Sequence, residues 1–233
     1  MILRFTMRNK KEIGGNIMSV KRDTLNQLQE NFLFAVVRGA TQEEGYEVSK
    51  AVYKGGIKNI EVTFSTPNAE QVMRQLADEF AGTDMVVGAG TVLDDVAARI
   101  AILNGAKFIV SPSYSEKIAK MCNLYTVPYL PGCGSITEVT MALESGCEVV
   151  KLFPGGLLGP GFIKDLHGPI PWVEAMPSGG VSLDNMDKWI ANGAWAVGVG
   201  SALTKDLKTG GYEAVEAASK EFADKLATIL ADK

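Results

Sequence analysis

Short apolar runs alternate with helical patterns about eight times along the 233-residue chain, and no linker-like or low-complexity segment interrupts them. Each run is nearly continuous in Val, Ile, Leu, Phe and Ala, as strands of a parallel sheet covered by helices must be. No G-x-G-x-x-G or phosphate loop follows the first run, which argues against the runner-up, an open doubly wound sheet. Together these observations predict an α/β fold, a single-domain (β/α)8 TIM barrel, which typically takes about 250 residues.

Residues 1–18 are polar and basic, without helical or strand period, and lack the apolar centre of a signal peptide. They are expected to be a non-native or disordered leader, with the barrel domain spanning 19–233. Translation is expected to begin at Met18, because Gly14-Gly15 can be encoded as GGAGGN, which resembles a ribosome-binding site just upstream. The mass of the native N-terminal peptide tests this.

Residues 24–31 read as a short helix with Leu25 and Leu28 three apart, followed by a strand over 32–37 that ends at Arg38-Gly39. Thr41 is an N-cap followed by Glu43 and Glu44, and its helix stops at Gly55-Gly56. Ile60-Glu61-Val62-Thr63-Phe64 is the second strand, and Thr66-Pro67 is expected to open the next helix with proline in its first turn. A third strand over 85–89 is closed by Gly88-Ala89-Gly90-Thr91, and a helix over 94–103 stops at Asn104-Gly105. Next come a strand at 108–111, a helix at 115–122 and a strand at 126–130 that Pro131-Gly132 is expected to turn. A helix at 135–144 is stopped by Ser145-Gly146, and the apolar run 148–153 ends at Pro154-Gly155-Gly156. The remaining units are a helix near 160–166, a strand at 173–176, a helix at 183–191, a strand at 194–199 and a long helix over 212–230.

The composition narrows the function. Hydrophobic residues make up 46% of the chain and charged residues 21%, which suits a soluble globular domain with a sizeable core. A net charge of −4 without any basic run argues against a nucleic-acid partner. No apolar run approaches the roughly 18 residues needed to span a membrane, and a cytoplasmic location is expected. Cys122, Cys133 and Cys147 have neither metal spacing nor a disulfide framework and read as reduced thiols. The lone His167 argues against a histidine-built zinc site and against a Ser-His-Asp triad, so no metal or cofactor is expected.

Barrel enzymes work at the carboxyl ends of their strands, where this sequence collects Arg38, Glu61, Thr63, Thr91, Ser111, Lys151 and Ser178. Lys151 lies inside the apolar run 148–153. A lysine there has two readings. Its stem can pack while its ammonium snorkels to water, or a dry pocket can lower its pKa and leave an amine able to form a Schiff base with a ketone. Glu61 lies between Ile60 and Val62 and so faces the barrel interior, as a structural partner for a cation or as a proton carrier beside Lys151. Gly179-Gly180 and Gly200-Ser201, after the seventh and eighth strands, suit the phosphate site that many barrels build there. Gly88-Ala89-Gly90-Thr91 lacks the spacing of a nucleotide loop and reads as a substrate-contacting turn. Phe153, Trp172, Trp189 and Trp195 are given no catalytic role, such residues being more often core or subunit contacts.

Seven segments, in order from residue 34 to 203, carry a resemblance. They are Ile60-Glu61-Val62-Thr63-Phe64, Val87-Gly88-Ala89-Gly90-Thr91-Val92, Phe108-Ile109-Val110-Ser111-Pro112, Leu130-Pro131-Gly132, Lys151-Leu152-Phe153-Pro154, Pro177-Ser178-Gly179-Gly180-Val181 and Val197-Gly198-Val199-Gly200-Ser201-Ala202. The sequence resembles the class I pyruvate aldolases of the 2-dehydro-3-deoxy-6-phosphogluconate and 4-hydroxy-2-oxoglutarate aldolase family. The resemblance implies Lys151 as Schiff-base lysine, Glu61 as general acid and base, and Thr91 and the Pro131 region as contacts to the pyruvate portion. It implies that Gly179, Gly180, Gly200 and Ser201 hold the distal phosphate, and within its motifs Phe153 and Ser178 are counted with the substrate contacts. It also implies a homotrimer that needs no metal.

The implied reaction cleaves a 2-keto-3-deoxy-6-phospho sugar acid to pyruvate and D-glyceraldehyde 3-phosphate, and 4-hydroxy-2-oxoglutarate to pyruvate and glyoxylate. The galactonate epimer, a phosphosugar decarboxylase or isomerase, and a non-catalytic phosphosugar-binding barrel stand as alternatives. Two positions depart from the commonest family pattern. Ser65 stands where many members carry an arginine, and Gly155-Gly156 stands where many carry a glutamate in the loop after Lys-x-Phe-Pro. Arg38 ends the first strand beside the second, and is expected to supply the charge for the substrate carboxylate that Ser65 does not.

Overall fold

The computed structural model describes residues 20–231, so the expected leader and the start at Met18 lie outside the described residues. The order of elements is α1 (Val20–Asn31), β1 (Leu33–Val37), α2 (Gln42–Lys54), β2 (Asn59–Thr63), α3 (Ala69–Glu79), β3 (Val86–Gly90) and α4 (Asp95–Leu103). Then come β4 (Ile109–Val110), α5 (Glu116–Leu124), β5 (Tyr129–Leu130), β6 (Gly132–Cys133), α6 (Ile136–Glu144), β7 (Val149–Leu152), α7 (Gly155–Leu158) and α8 (Gly161–His167). The chain continues through β8 (Glu174–Pro177), α9 (Met186–Ala191), β9 (Val197–Val199), α10 (Ser201–Thr204) and α11 (Leu207–Ala231).

Every strand pair is parallel, in two runs ordered β5-β4-β3-β2-β1-β9 and β6-β7-β8. β5 and β6 are one strand divided at Pro131, which has no N–H to give the ladder. Its carbonyl still accepts from Lys151 N at 2.8 Å, so the strand continues past the proline to pair with β7. The turn expected at Pro131-Gly132 is therefore an interruption within a strand. On the other side Ser178 bridges Gly198 in parallel, and Trp195 N donates to Ala175 O at 2.9 Å. With β5 and β6 counted as one, eight parallel strands among the described residues close a (β/α)8 barrel.

Strand alternation separates two cores. Ile60, Val62, Val87, Ala89 and Ile109 face outward and pack against Val48, Val52, Met73 and Leu76 of the surrounding helices. Phe34, Phe108, Leu130, Met176 and Trp195 fill the interior with Leu25 and Leu28 of α1, which closes the amino-terminal end. Phe34 and Phe108 meet edge to face at 5.3 Å, and Asn59 reaches down to α1, donating to Leu28 O at 2.9 Å and accepting from Asn31 Nδ2 at 2.8 Å. Apolar and satisfied polar groups thus plug the interior at the bottom, and the buried charges of the interior lie above them.

The helices start where the capping residues place them. Thr41, Asp94, Ser115 and Ser135 each accept from the backbone N–H three residues on, a cap typically worth about 1 kcal/mol. Thr66-Pro67 is an exception. Thr66 Oγ1 accepts from Gly39 N at 3.0 Å, tying the β2–α3 loop to the end of β1, and α3 begins only at Ala69, after Asn68 at φ 52°. α1 and α11 both begin earlier than their apolar periods, and α11 is kinked at Gly211 (φ 63°, ψ −160°). The single-turn helices α7 and α10 are too short to leave a period in sequence.

Candidate active site

Lys151 is the third residue of β7, paired with Gly132 on one side and Met176 on the other. Met176 lies in the interior cluster, and Lys151 reaches Glu61 of β2 across the interior: its Nζ stands 3.5 Å from Glu61 Oε1. The lysine side chain is 7% exposed and the glutamate side chain 0%. Neither Glu61 oxygen accepts a hydrogen bond, so the ion pair is the carboxylate's one close polar contact among the described residues. Burial pushes the Glu61 carboxyl above its ordinary 4.5; the charges of Lys151 and, more remotely, Arg38 pull it back, and burial wins.

The room for this carboxylate comes from β3. Gly88 and Gly90 are register partners of Glu61 and Thr63. A Cβ on Gly90 would stand 2.1 Å from Glu61 Oε1, and one on Gly88 would stand 2.4 Å from the Phe108 ring. Bare glycine at two alternate positions of one buried strand is the sequence trace of this space. Reading Gly88-Ala89-Gly90-Thr91 as a turn missed it. Thr91 follows with φ 55°, a left-handed conformation that is strained for a β-branched residue and fixes the start of the β3–α4 loop at the mouth.

At the end of β1, Arg38 is exposed and its Nη1 donates to Ser65 Oγ at 2.6 Å. Ser65 Oγ is also 2.8 Å from Thr63 Oγ1, which donates to Val37 O at 2.9 Å. This chain of hydroxyls ties the two strand ends together and holds the guanidinium at the rim. Phe153 points the same way as Lys151, whose Nζ lies 5.3 Å from its ring centroid, so the ring belongs to the site and not to the outer core. Pro131 is joined to the lysine through its carbonyl.

The loops after β7 and β8 run side by side, with Gly155 N donating to Ser178 O at 2.8 Å and Gly156 N to Gly179 O at 2.6 Å. Ser178 is buried, Gly179 and Gly180 have φ 75° and 97°, and Gly200-Ser201 opens α10 next to them. Ser111 does not join this group. Its neighbour Val110 faces the interior, so Ser111 faces outward, where its Oγ is 2.6 Å from the buried Tyr129 hydroxyl. His167 ties α8 to the β8 approach by a 3.0 Å contact from Nε2 to Val173 O. Among the described residues no three His, Cys, Asp or Glu side chains come together as a metal site, and no helix is long and apolar enough to cross a membrane.

A dry amine beside a dry carboxylate, at the carboxyl end of a barrel, can form an imine with a ketone and carry protons for it. Known proteins agree with this chemistry. The chain is 36% identical over 173 residues to a 2-dehydro-3-deoxy-phosphogluconate aldolase of Treponema pallidum, covering 71% of this chain and 81% of that protein. It is 32% identical over 172 residues to a 2-dehydro-3-deoxy-6-phosphogalactonate aldolase of Escherichia coli, covering 73% and 83%. A solved structure described as native KDPGal superposes with a TM-score of 0.79 at 28% identity, over 85% of this chain and 95% of that one. Residues 25–218 match the family model of the KDPG and KHG aldolases, and the chain belongs to that family.

Proposed function

We propose that this protein cleaves a 2-keto-3-deoxy-6-phospho sugar acid to pyruvate and D-glyceraldehyde 3-phosphate, and 4-hydroxy-2-oxoglutarate to pyruvate and glyoxylate. The single observation that carries this is the 3.5 Å contact between two almost fully buried groups, Lys151 Nζ and Glu61 Oε1. Lys151 attacks the C2 carbonyl, the oxygen leaves as water, and an iminium remains. Glu61, directly or through a water, takes the proton of the C4 hydroxyl, and the C3–C4 electron pair moves into the iminium. The aldehyde departs, leaving an enamine that is protonated at C3 and hydrolysed to pyruvate.

Arg38 is assigned to the substrate carboxylate, since it is the cation that the rim presents beside Ser65 and Thr63. Thr91 and the Pro131–Gly132 backbone border the pyruvate portion. Gly179, Gly180, Gly200 and Ser201, with Ser178 below them, receive the distal phosphate through backbone and hydroxyl donors.

The assembly is a homotrimer. Val96, Ile100 and Leu103 line one face of α4 with exposures of 64%, 38% and 44%, and Leu93 just before the helix and Leu124 and Tyr125 at the end of α5 are exposed as well. A stripe of this spacing left bare on one helix supports burial against a second copy.

The test is borohydride reduction in the presence of pyruvate, followed by peptide mass mapping. A three-carbon adduct on Lys151 is expected, together with pyruvate release from phosphorylated 2-keto-3-deoxy acids. An adduct on another lysine, or none, refutes the mechanism.

A further inference from the structure

We propose that the face of Phe153 stabilises the positive charge that develops on Lys151 Nζ, making this ring a charge-stabilising residue of the reaction and not packing alone. The proposal rests on the reading of Lys151 as the Schiff-base former. Nζ lies 5.3 Å from the ring centroid, within the roughly 6 Å over which an aromatic face attracts a cation. With the lysine side chain 7% exposed, water does little to screen that attraction.

The ring is held in place by the neighbouring loop. Gly179, at φ 75°, lies so close that a Cβ there would stand 3.1 Å from Phe153 Cε2 and 3.4 Å from Cδ2. The paired bonds from Gly155 N to Ser178 O and from Gly156 N to Gly179 O fix the backbone on both sides. Glycine at 179 thus serves the ring as well as the turn.

The reaction needs such a partner because the nitrogen changes charge. The carbinolamine is neutral. Its hydroxyl leaves as water with a proton from the Glu61 carboxylic acid, the nitrogen lone pair closes the C=N bond, and the nitrogen becomes cationic. As Glu61 takes up the C4 hydroxyl proton, the C3–C4 electron pair moves into the iminium and the nitrogen becomes neutral again. Glu61, the other close partner of this nitrogen, therefore gains and loses its own charge during the steps in which the cation must be held. Its carboxylate is also poorly tolerated, being fully buried with no hydrogen bond to either oxygen. The ring face does not titrate. It favours the iminium over the neutral carbinolamine and enamine on either side of it.

Replacing Phe153 by mono-, di- and trifluorophenylalanine drains the negative charge of the ring face with little change of shape. The readout is the exchange of pyruvate methyl protons in D2O, which requires the iminium and enamine but no aldehyde. The rate is expected to fall stepwise, by about 3–30-fold over the series, as a cation–π contribution in a desolvated site requires. Borohydride should still place the pyruvate adduct on Lys151 in every member. A flat series, with loss only in Phe153→Leu, assigns the ring to packing and overturns the proposal. If the natural protein gives no Lys151 adduct at all, the Schiff-base reading itself fails and the proposal falls with it.

Discussion

Glu61 is held where a carboxylate is least at ease, and this has consequences at the scale of single residues. Because burial raises its pKa, the base form is lost at a higher pH than for an ordinary carboxylate. The acid limb of kcat/KM is expected above 4.5 and should vanish in Glu61→Gln. That variant should still trap pyruvate on Lys151 while losing about 10²–10⁴-fold in turnover; turnover within a few-fold of the natural enzyme would mean another group moves the protons. The same shift bears on stability. The folded state binds the proton more tightly than the unfolded chain, so this group's contribution falls as pH rises from 4.5 through the raised value. Arg38→Ala should raise KM for the keto acid about 10–100-fold with a smaller change in kcat, as loss of a charge-assisted contact does. Ser65→Ala should cost much less, although it removes the hydroxyl that now orients the guanidinium. An unchanged KM in Arg38→Ala would place the carboxylate against backbone N–H groups near Thr91 and Gly132. Lys151 and Glu61 were legible in sequence because a lone charge in an apolar run has few explanations. Ser111 was misplaced because β4 is two residues long and gives little alternation to follow.

At the scale of elements, β3 matters for what it leaves out. Gly90→Ala would put a methyl 2.1 Å from the present position of Glu61 Oε1 and 2.5 Å from that of its Cγ. The buried Glu61 side chain must shift as a whole to make room, so this variant should still fold, with a lowered melting temperature, and lose aldol turnover. Gly88→Ala would meet the Phe108 ring at 2.4 Å, and that ring is locked in the interior cluster against Phe34. It should lose about 1–3 kcal/mol by overpacking in a denaturant titration. If Gly90→Ala keeps full turnover, β3 does not set the position of Glu61. Most elements were readable from sequence because their ends are written locally: four helices start on a Thr, Asp or Ser cap, and α2 stops at Gly55-Gly56. Where the deciding contact is distant the reading failed. Thr66 looks like the start of a helix but bonds to Gly39 N, and Pro131 looks like a turn but hands its carbonyl to Lys151 N.

At the scale of the whole molecule, the barrel buries its core between α1 at the bottom and helices around the wall, yet the outer face of α4 stays bare. None of the described residues covers Val96 and Ile100, which lie a turn apart and are 64% and 38% exposed. Burial of such side chains is worth about 25 cal/mol per Å² of apolar surface removed from water. Three copies sharing this patch would gain that term three times over. The cluster extends to α5, where Tyr125 lies under the Arg99 guanidinium at 4.2 Å and Leu124 is 73% exposed. Light scattering should therefore report a mass near three times that of one chain for the natural protein. Val96→Glu combined with Ile100→Glu should give single chains, since two desolvated carboxylates on adjacent turns oppose association, while their exposure leaves each barrel folded. Retention of the Lys151 adduct with pyruvate in that variant would show that the imine chemistry belongs to one barrel. A natural protein that runs as one chain excludes the trimer, and a double variant that stays trimeric moves the interface to a different face.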